Sequence, residues 1–388
     1  MSLIILTLST AGFLSWIIVF GLMVFGTVRA HFFHKRPPKH LDAPFALFPV
    51  SILKPLKGVD CDLEKNLRSF FLLDYPKYEI LFSVASQKDP AWYVADKLIT
   101  EYKGRTQVQA RLICGAVEMG ANPKVNNLVK SYESALFDWV LISDSNVRVR
   151  PDYLKRQIAH LEPQVGMLTC VVAGTKEKGL GGRLESVFLN TFYSRGMHLT
   201  DALGKTCVVG KSMLFQRSTA KRFGGIKTLA LYLAEDFMAG EAMRKLGLKV
   251  MIAADPIEQV VGRMRLKDFW ARHIRWGRIR KIQAPAAFFI EPLTTCLISG
   301  LIGALAFQHF FELPFYLGFL IHLVSWYLGD LFVTESVGGR LYPSHPLVWL
   351  LREALAFPLW LHIASGSTVQ WRGKTLKILP GGLVELAK

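Results

Sequence analysis

Hydrophobic and polar positions fall into three regimes along the chain. Residues 1–28 carry no Asp, Glu, Lys or Arg, and an apolar run of that length crosses a hydrocarbon core of about 30 Å even when tilted. This predicts a transmembrane helix over residues 1–30. The basic residues follow the run and no small-x-small site is evident, so a cleaved signal peptide is not expected. Pro37-Pro38 and Pro44 make a stiff exit from the bilayer. Short apolar runs then predict strands at 50–53, 79–85, 108–113, 139–142, 167–172 and 207–215, and amphipathic stretches predict helices at 63–73, 90–102, 124–134 and 235–246. The alternation predicts an α/β domain with a parallel, doubly wound sheet over residues 45–283. The chain turns apolar again at 284–307 and 311–333, with a further candidate span at 346–364 that contains Arg352 and Glu353. A fourth full span would put Trp371-Arg372-Gly373-Lys374 outside, against the Lys/Arg bias. Residues 284–388 are therefore read as a membrane region with two or three spans, the last segment being re-entrant or interfacial.

Composition excludes the soluble alternatives. Hydrophobic residues make up 51% of the 388, and the mean hydropathy is +0.28, which rules out secreted, disordered and collagen-like classes. The 47 Lys and Arg exceed the 30 Asp and Glu by 17. All of that excess lies in residues 29–283, because 284–388 hold six bases and six acids. The central domain should therefore be cytosolic. A basic surface there suits anionic headgroups or an anionic nucleotide. No nucleic-acid reader motif is present, so nucleic acid is not an expected partner. Cys61, Cys114, Cys170, Cys207 and Cys296 show no ligand or disulfide-framework spacing.

In open α/β sheets ligands bind beyond the carboxyl ends of strands. Asp89 and Asp144 stand at two such ends, although each residue type also forms turns and helix caps. Asp144-Ser145-Asn146 resembles the Asp-x-Asp metal signature of nucleotide-sugar enzymes. Glu235-Asp236 opens a predicted helix, where the dipole favours acids. Residues 269–280 are basic and aromatic, including Arg272-His273-Ile274-Arg275-Trp276, and suit an amphipathic helix at the headgroup boundary. Singly these are weak signals. In this order, between membrane spans, they resemble the membrane glycosyltransferases of GT-A (Rossmann-like) fold, whose usual final motif is Gln-x-x-Arg-Trp; here the first position is Arg272.

Longer motifs sharpen the resemblance. Val50-Ser-Ile-Leu-Lys-Pro-Leu-Lys-Gly-Val-Asp60, Leu73-Asp-Tyr-Pro-Lys-Tyr-Glu79, Asn122-Pro-Lys-Val-Asn-Asn-Leu128, Ala234-Glu-Asp236 and residues 272–276 resemble the ceramide glucosyltransferase family, with similarity from about residue 45 to the C-terminus. The resemblance implies UDP-glucose as donor, ceramide as acceptor, a divalent cation (Mg2+ or Mn2+) and inversion at the anomeric carbon. Two departures stand out: Tyr193-Ser194-Arg195 where vertebrate members carry His-Pro-Arg, and Asn146 as the second acid position of Asp-x-Asp. Under this reading Asp144 holds the metal and Asp236 is the general base, with Glu235 orienting it. Asp89 contacts uridine or its ribose. Lys124 and Asn126 line the donor pocket, with Lys54 a further candidate, and Arg272 and Arg275 fork onto the diphosphate. Trp276 walls the acceptor site, and the lipid enters between the C-terminal spans and residues 272–276. Cys207, in the strand before Gly210, is read as a packing residue. The same chemistry on another UDP-sugar or lipid alcohol (a hopanoid polyol, diacylglycerol), or a catalytically silent membrane-tethered nucleotide binder, stay open as alternatives. A bacterial inner membrane or a Golgi membrane would suit the topology, and the oligomeric state is not legible.

Overall fold

The structure, a computed structural model, describes residues 3–36, 47–371 and 374–386. The proline-rich exit at 37–44 and Arg372-Gly373 lie outside them. Helix α1 (Leu3–His34) leaves Leu3, Leu8 and Ile18 exposed, as a lipid-facing helix would. Its 32 residues rise about 48 Å at 1.5 Å each, more than a hydrocarbon core requires. Its last turns therefore stand clear, where Arg29 pairs with Asp201 at 2.5 Å.

The first half of the α/β domain runs β1 (Val50–Pro55), α2 (Leu63–Phe71), β2 (Tyr78–Val84), α3 (Pro90–Tyr102), β3 (Gln109–Cys114), α4 (Pro123–Glu133) and β4 (Trp139–Ile142). These four strands pair in parallel in the order β3-β2-β1-β4. Every residue of β2 is buried, because helices cover both faces and a parallel strand then reads as a continuous apolar run. Ile52, Ile80 and Phe82 pack on one face with α2 and α3. Leu53, Leu81 and Val140 pack on the other with α4.

The second half adds β5 (Val147–Arg148), α5 (Tyr153–Ile158), β6 (Val165–Thr175), α6 (Gly179–Phe188), a π-helical turn at 189–193, α7 (Ser194–Ala202), β7 (Met213–Gln216), α8 (Arg217–Lys221), α9 (Glu235–Lys245) and β8 (Lys249–Val260). The eight strands follow the order β3-β2-β1-β4-β7-β6-β8-β5. The wholly parallel sheet expected from the sequence is corrected here. Strand β7 runs antiparallel to β4 and β6, and β5 antiparallel to β8. The expected strand at 207–215 starts only at Met213, because the N–H groups before it are diverted to side chains: Val209 to Thr169 Oγ1 at 3.0 Å and Gly210 to Asp236 Oδ2 at 2.8 Å. Strand β8 escaped notice because Asp255-Pro256 reads as a turn signal.

The C-terminal third comprises α10 (Leu266–Gln283), α11 (Pro285–Ile290), α12 (Cys296–Phe311), α13 (Phe315–Ser336), α14 (His345–Ala364) and a small antiparallel sheet of β9 (Thr368–Trp371), β10 (Lys374–Ile378) and β11 (Val384–Leu386). Among the described residues α1, α13 and α14 are long and apolar enough to cross a membrane, and the stretches Pro285–Thr294 and Cys296–Phe311, bent by 60° to each other, have the geometry of a broken span or a re-entrant loop. Helices α1, α12 and α13 pack together: Gly303 lies against the Trp16 ring, whose Nε1 donates to His322 Nδ1 at 3.0 Å. Helix α7 docks on this bundle through the buried Arg195–Asp330 pair.

Helix α14 is placed differently. Arg183 of α6 donates to Ser344 Oγ at its start (3.1 Å), and Lys281 of α10 donates to the Ala364 carbonyl at its end (2.5 Å). The sheet that follows returns to the α/β domain, where Val369, Leu376 and Ile378 pack on Leu233. The sheet at 368–386 thus packs beside the domain. Alternation sets one face of β9 and β10 against Leu233.

Candidate active site

The carboxyl ends of β1 and β4 lie side by side, and the starts of α4 and α9 and the loop at 206–212 converge with them. Helix α4 begins where it does because Asn122 caps it. Its Oδ1 accepts from the N–H groups of Lys124 (2.9 Å) and Val125 (3.1 Å), ahead of Pro123 in the first turn. Its Nδ2 donates to the Tyr232 carbonyl (2.8 Å) and Glu235 Oε2 (2.9 Å). One buried amide therefore fixes the two helix starts against each other.

Lys124 Nζ lies 2.8 Å from Asp144 Oδ1 and 2.9 Å from Glu235 Oε1, and donates to the Gly210 carbonyl at 3.1 Å. Burial opposes its charge, but Asp144, Glu235 and Asp236 outweigh it and hold the ammonium above its ordinary range. Lys211 Nζ reaches Asp144 Oδ2 at 3.1 Å and Asn146 Oδ1 at 2.9 Å; burial pushes its pKa down against the pull of Asp144. Fully buried Lys54 donates to the Asp144 carbonyl at 2.5 Å and lies 3.8 Å from the Phe70 ring centre. Its burial lowers its pKa well below the usual lysine range. Asp144 is held below the ordinary carboxylate range: burial works the other way, and Lys124 and Lys211 prevail.

Asp236 behaves oppositely. Burial, then its neighbour Glu235, push it up to about 6 despite Lys124 and two backbone donors. Those donors are the N–H of Gly210 on Oδ2 and of Phe237 on Oδ1, each at 2.8 Å. Gly210 permits this closeness, since a Cβ there would lie 2.7 Å from Lys124 Nζ and 3.1 Å from Asp236 Oδ2. The Cys207 thiol is pushed up to about 12 by burial and by Asp236, so it remains a protonated packing group in a loop.

Asp89 caps α3, its Oδ1 accepting from Ala91 N at 2.9 Å and from Gly58 N at 2.8 Å. The loop that carries Gly58 also presents Asp60 to the Ser145 hydroxyl, so Asp89 sits one loop away from Asp144, outside the lysine network. Asn126 spends both ends of its amide on the loop before α4, accepting from Met119 N at 3.1 Å and donating to the Gly120 carbonyl at 2.8 Å. It shapes that loop.

On α10, Arg272 lies 3.0 Å from Glu185 Oε1 and stacks 4.3 Å from the centre of Trp276. His273 Nε2 meets Glu185 Oε2 at 2.9 Å. Burial works against the charge of Glu185, yet Arg272 and His273 hold its pKa down to about 2. Arg275 is half-buried on the same helix. Beside Trp276 a crevice of about 40 Å³ runs between α10 and α14, lined by Phe188, Phe192, His273, Arg352 and Trp360 among others. The structure thus joins Asp144, Lys124, Glu235 and Asp236 in one network. Sequence reasoning missed Asn122, Lys211, Gly210 and Glu185. The polar Gly210-Lys211-Ser212 interruption of a predicted strand was the one available signal for two of them.

A mixed sheet with acids and lysines gathered at the ends of β1 and β4 defines the class. The fold is that of the GT-A glycosyltransferases, and it is shared with the mannosyltransferase PcManGT of Pyrobaculum calidifontis, solved with GDP-Man and Mn2+ (TM-score 0.55, 16% identity, 92% of this chain and 97% of that one). The sequence narrows the class further. The profile of glycosyl transferase family 21 matches residues 14–384, and the chain belongs to that family. Its relatives include ceramide glucosyltransferase 3 of Caenorhabditis elegans, 30% identical across 86% of this chain and 74% of the relative. The ceramide glucosyltransferase of Komagataella phaffii is 30% identical across 89% of this chain and 85% of its own length.

Proposed function

We propose that this enzyme transfers glucose from UDP-glucose to the primary hydroxyl of ceramide, with inversion, at the cytosolic face of a membrane. The observation that carries the reading is the pairing of Asp236, a carboxylate raised toward neutrality, with the Lys124–Asp144–Lys211 cluster beside it. A base whose pKa lies near working pH combines availability with driving force. Ammonium groups beside it favour a diphosphate that gains charge as it leaves. Asp236 takes the hydroxyl proton as the acceptor oxygen attacks the anomeric carbon. The carbon–oxygen bond to the diphosphate breaks on the opposite side, and UDP departs with the electron pair. Arg272 and Arg275 offer forked donors to its phosphates, and the Asp89 oxygen that its helix cap leaves over is available to the uridine ribose. Glu235 holds Lys124 and Asn122, and so the geometry of the base beside it.

Among the described residues no three His, Cys, Asp or Glu side chains form a ready metal cluster. Asp144 and Asn146 supply one carboxylate and one amide oxygen at the same strand end. They would hold a hard cation such as Mg2+ or Mn2+ in place of the Lys124 and Lys211 ammoniums that they now pair with. When bound, it would neutralise charge on the leaving diphosphate. The bacterial inner membrane and the Golgi membrane both suit a basic, inward-facing domain.

Purified protein in detergent, supplied with UDP-glucose and long-chain ceramide, is expected to yield β-linked glucosylceramide by mass spectrometry and NMR. Transfer only to non-sphingoid lipids, or an α-linked product, overturns the reading.

A further inference from the structure

Ionised residues within apolar helices are costly and so mark function. Arg352 and Glu353 are neighbours on α14, 7% and 2% exposed. The guanidinium is ion-paired with Glu353 Oε1, and its flat faces lie 4.9 Å from the Phe192 ring centre and 5.6 Å from that of Phe188. Glu353 Oε2 is also occupied, accepting from Cys296 N at 3.1 Å. Arg352 carries five N–H donors, and its one hydrogen-bond partner among the described residues is Glu353. Three other polar residues lining the crevice have partners: His273 with Glu185 at 2.9 Å, Arg280 with Glu291 through two bonds of 2.9 and 2.8 Å, and the Thr295 hydroxyl with the Pro292 carbonyl at 2.7 Å.

The setting says what those donors meet. Both ends of α14 are tied to α6 and α10, so the helix lies along the domain. Its outer side exposes Leu347, Leu351, Phe357 and Leu361, an apolar surface suited to lipid. A crevice between such a helix and the basic, aromatic α10 suits headgroup depth. Its volume of about 40 Å³ corresponds to roughly three waters, enough for a polar head while the chains stay in the bilayer. Glu353 already balances the guanidinium charge and would repel a phosphate. A neutral, hydrogen-bonding head fits.

We propose that Arg352, held by Glu353, is the specificity residue for the acceptor: it donates to the amide carbonyl of a neutral sphingoid alcohol seated between α10 and α14. This rests on the lipid glucosyltransferase reading above. The test compares wild type with Arg352→Lys, which keeps a partner for Glu353 but loses the fork, and with the double variant Arg352→Met/Glu353→Gln, which leaves no stranded charge. Losing a charge-assisted hydrogen bond should raise the KM for ceramide roughly 10- to 100-fold, with the UDP-glucose KM within about twofold in the same assay. A diazirine-bearing ceramide should label peptides of α14 and α10 in the wild type and label them weakly in both variants. An unchanged ceramide KM in both variants, equal rises in both substrates' KM, or label confined to α1, α12 and α13 overturns the proposal alone. A wild-type enzyme that makes no glucosylceramide overturns the functional reading and this proposal with it.

Discussion

The proposed donor cluster and the proposed acceptor crevice are built from opposite materials. At the strand ends, Asn122, Lys124, Asp144, Lys211 and Glu235 form one network of hydrogen bonds and ion pairs, and Asp236 joins it through the backbone of Gly210 without an ion pair of its own. Between α10 and α14 the walls are aromatic and aliphatic, and a single guanidinium keeps donors in reserve. The difference matches what each side must bind. A nucleotide sugar arrives with two phosphates and leaves with more charge on them, so the protein benefits from dipoles and ammoniums fixed in advance. A lipid alcohol brings one hydroxyl, an amide and a large apolar body, so shape and a few polar contacts serve it. In the cluster a single deletion should disturb every neighbour; at the crevice it should alter one substrate's affinity.

The sharpest break of this contrast is Asp236→Asn. The amide keeps size and can still accept from Gly210, but it no longer takes a proton, so kcat should fall about 10²–10⁴-fold while UDP binding, followed by calorimetry, persists. The same residue sets the acid limb. Its pKa is raised to about 6, and the deprotonated form is the base. The wild-type rate should therefore plateau above pH 6 and decline about tenfold per unit below it. A rate that holds level to pH 5, or a variant within twofold of wild type, removes Asp236 from the role.

Lys124→Met comes next. It strands Glu235 and leaves Asp144 with Lys211 alone in a buried setting, and breaking a buried pair costs about 3–5 kcal/mol. Thermal unfolding should shift down together with activity, whereas Lys211→Met, which leaves Asp144 its stronger partner, should mainly raise the UDP-glucose KM. Because both Asp144 oxygens are held by lysines, Mn2+ should bind tightly only when UDP is present. Chelator should abolish turnover without lowering the unfolding temperature of the nucleotide-free protein. A chelator-resistant rate excludes the metal.

The two regions were also unequally legible in the sequence. Asp144 and Glu235-Asp236 stood out only in combination with the Arg272–Trp276 motif, each alone being accounted for by a turn or a helix start, and the parallel half of the sheet followed from continuous apolar runs. Lys211 was hidden inside a segment that scans as a strand until its N–H groups find Thr169 and Asp236. Glu185 was invisible because its partners Arg272 and His273 lie on a helix far along the chain, and only packing brings them together. The crevice takes only His273 and Trp276 from a motif the sequence shows. Phe188, Trp276 and Arg352 come from three helices, and α14 satisfies every length and composition test for a span while both its ends are tied to one domain. Periodicity reports which face of a helix is apolar; it says nothing of which neighbour that face will meet.

The smallest effect is at Asp89, on the boundary between structural and binding roles. Its Oδ1 already serves as the α3 cap and ties down Gly58, which would account for an aspartate there without any ligand. The two roles separate by comparing substitutions. Asn caps a helix about as well as Asp, and Ala costs about 1 kcal/mol. If the carboxylate only caps, Asp89→Asn should leave stability and the UDP-glucose KM unchanged, and Asp89→Ala should lower the unfolding temperature slightly. If its second oxygen also receives a ribose hydroxyl, Asp89→Asn should keep the wild-type unfolding temperature yet raise the UDP-glucose KM about 3- to 10-fold, the worth of one hydrogen bond to a charged group at a partly exposed site. The ceramide KM should not move in either case, because Asp89 lies on the strand-end rim, apart from the α10–α14 crevice. We expect the second pattern: a cap consumes one oxygen of the pair, and the same loop that Asp89 anchors through Gly58 reaches Ser145 beside Asp144 through Asp60.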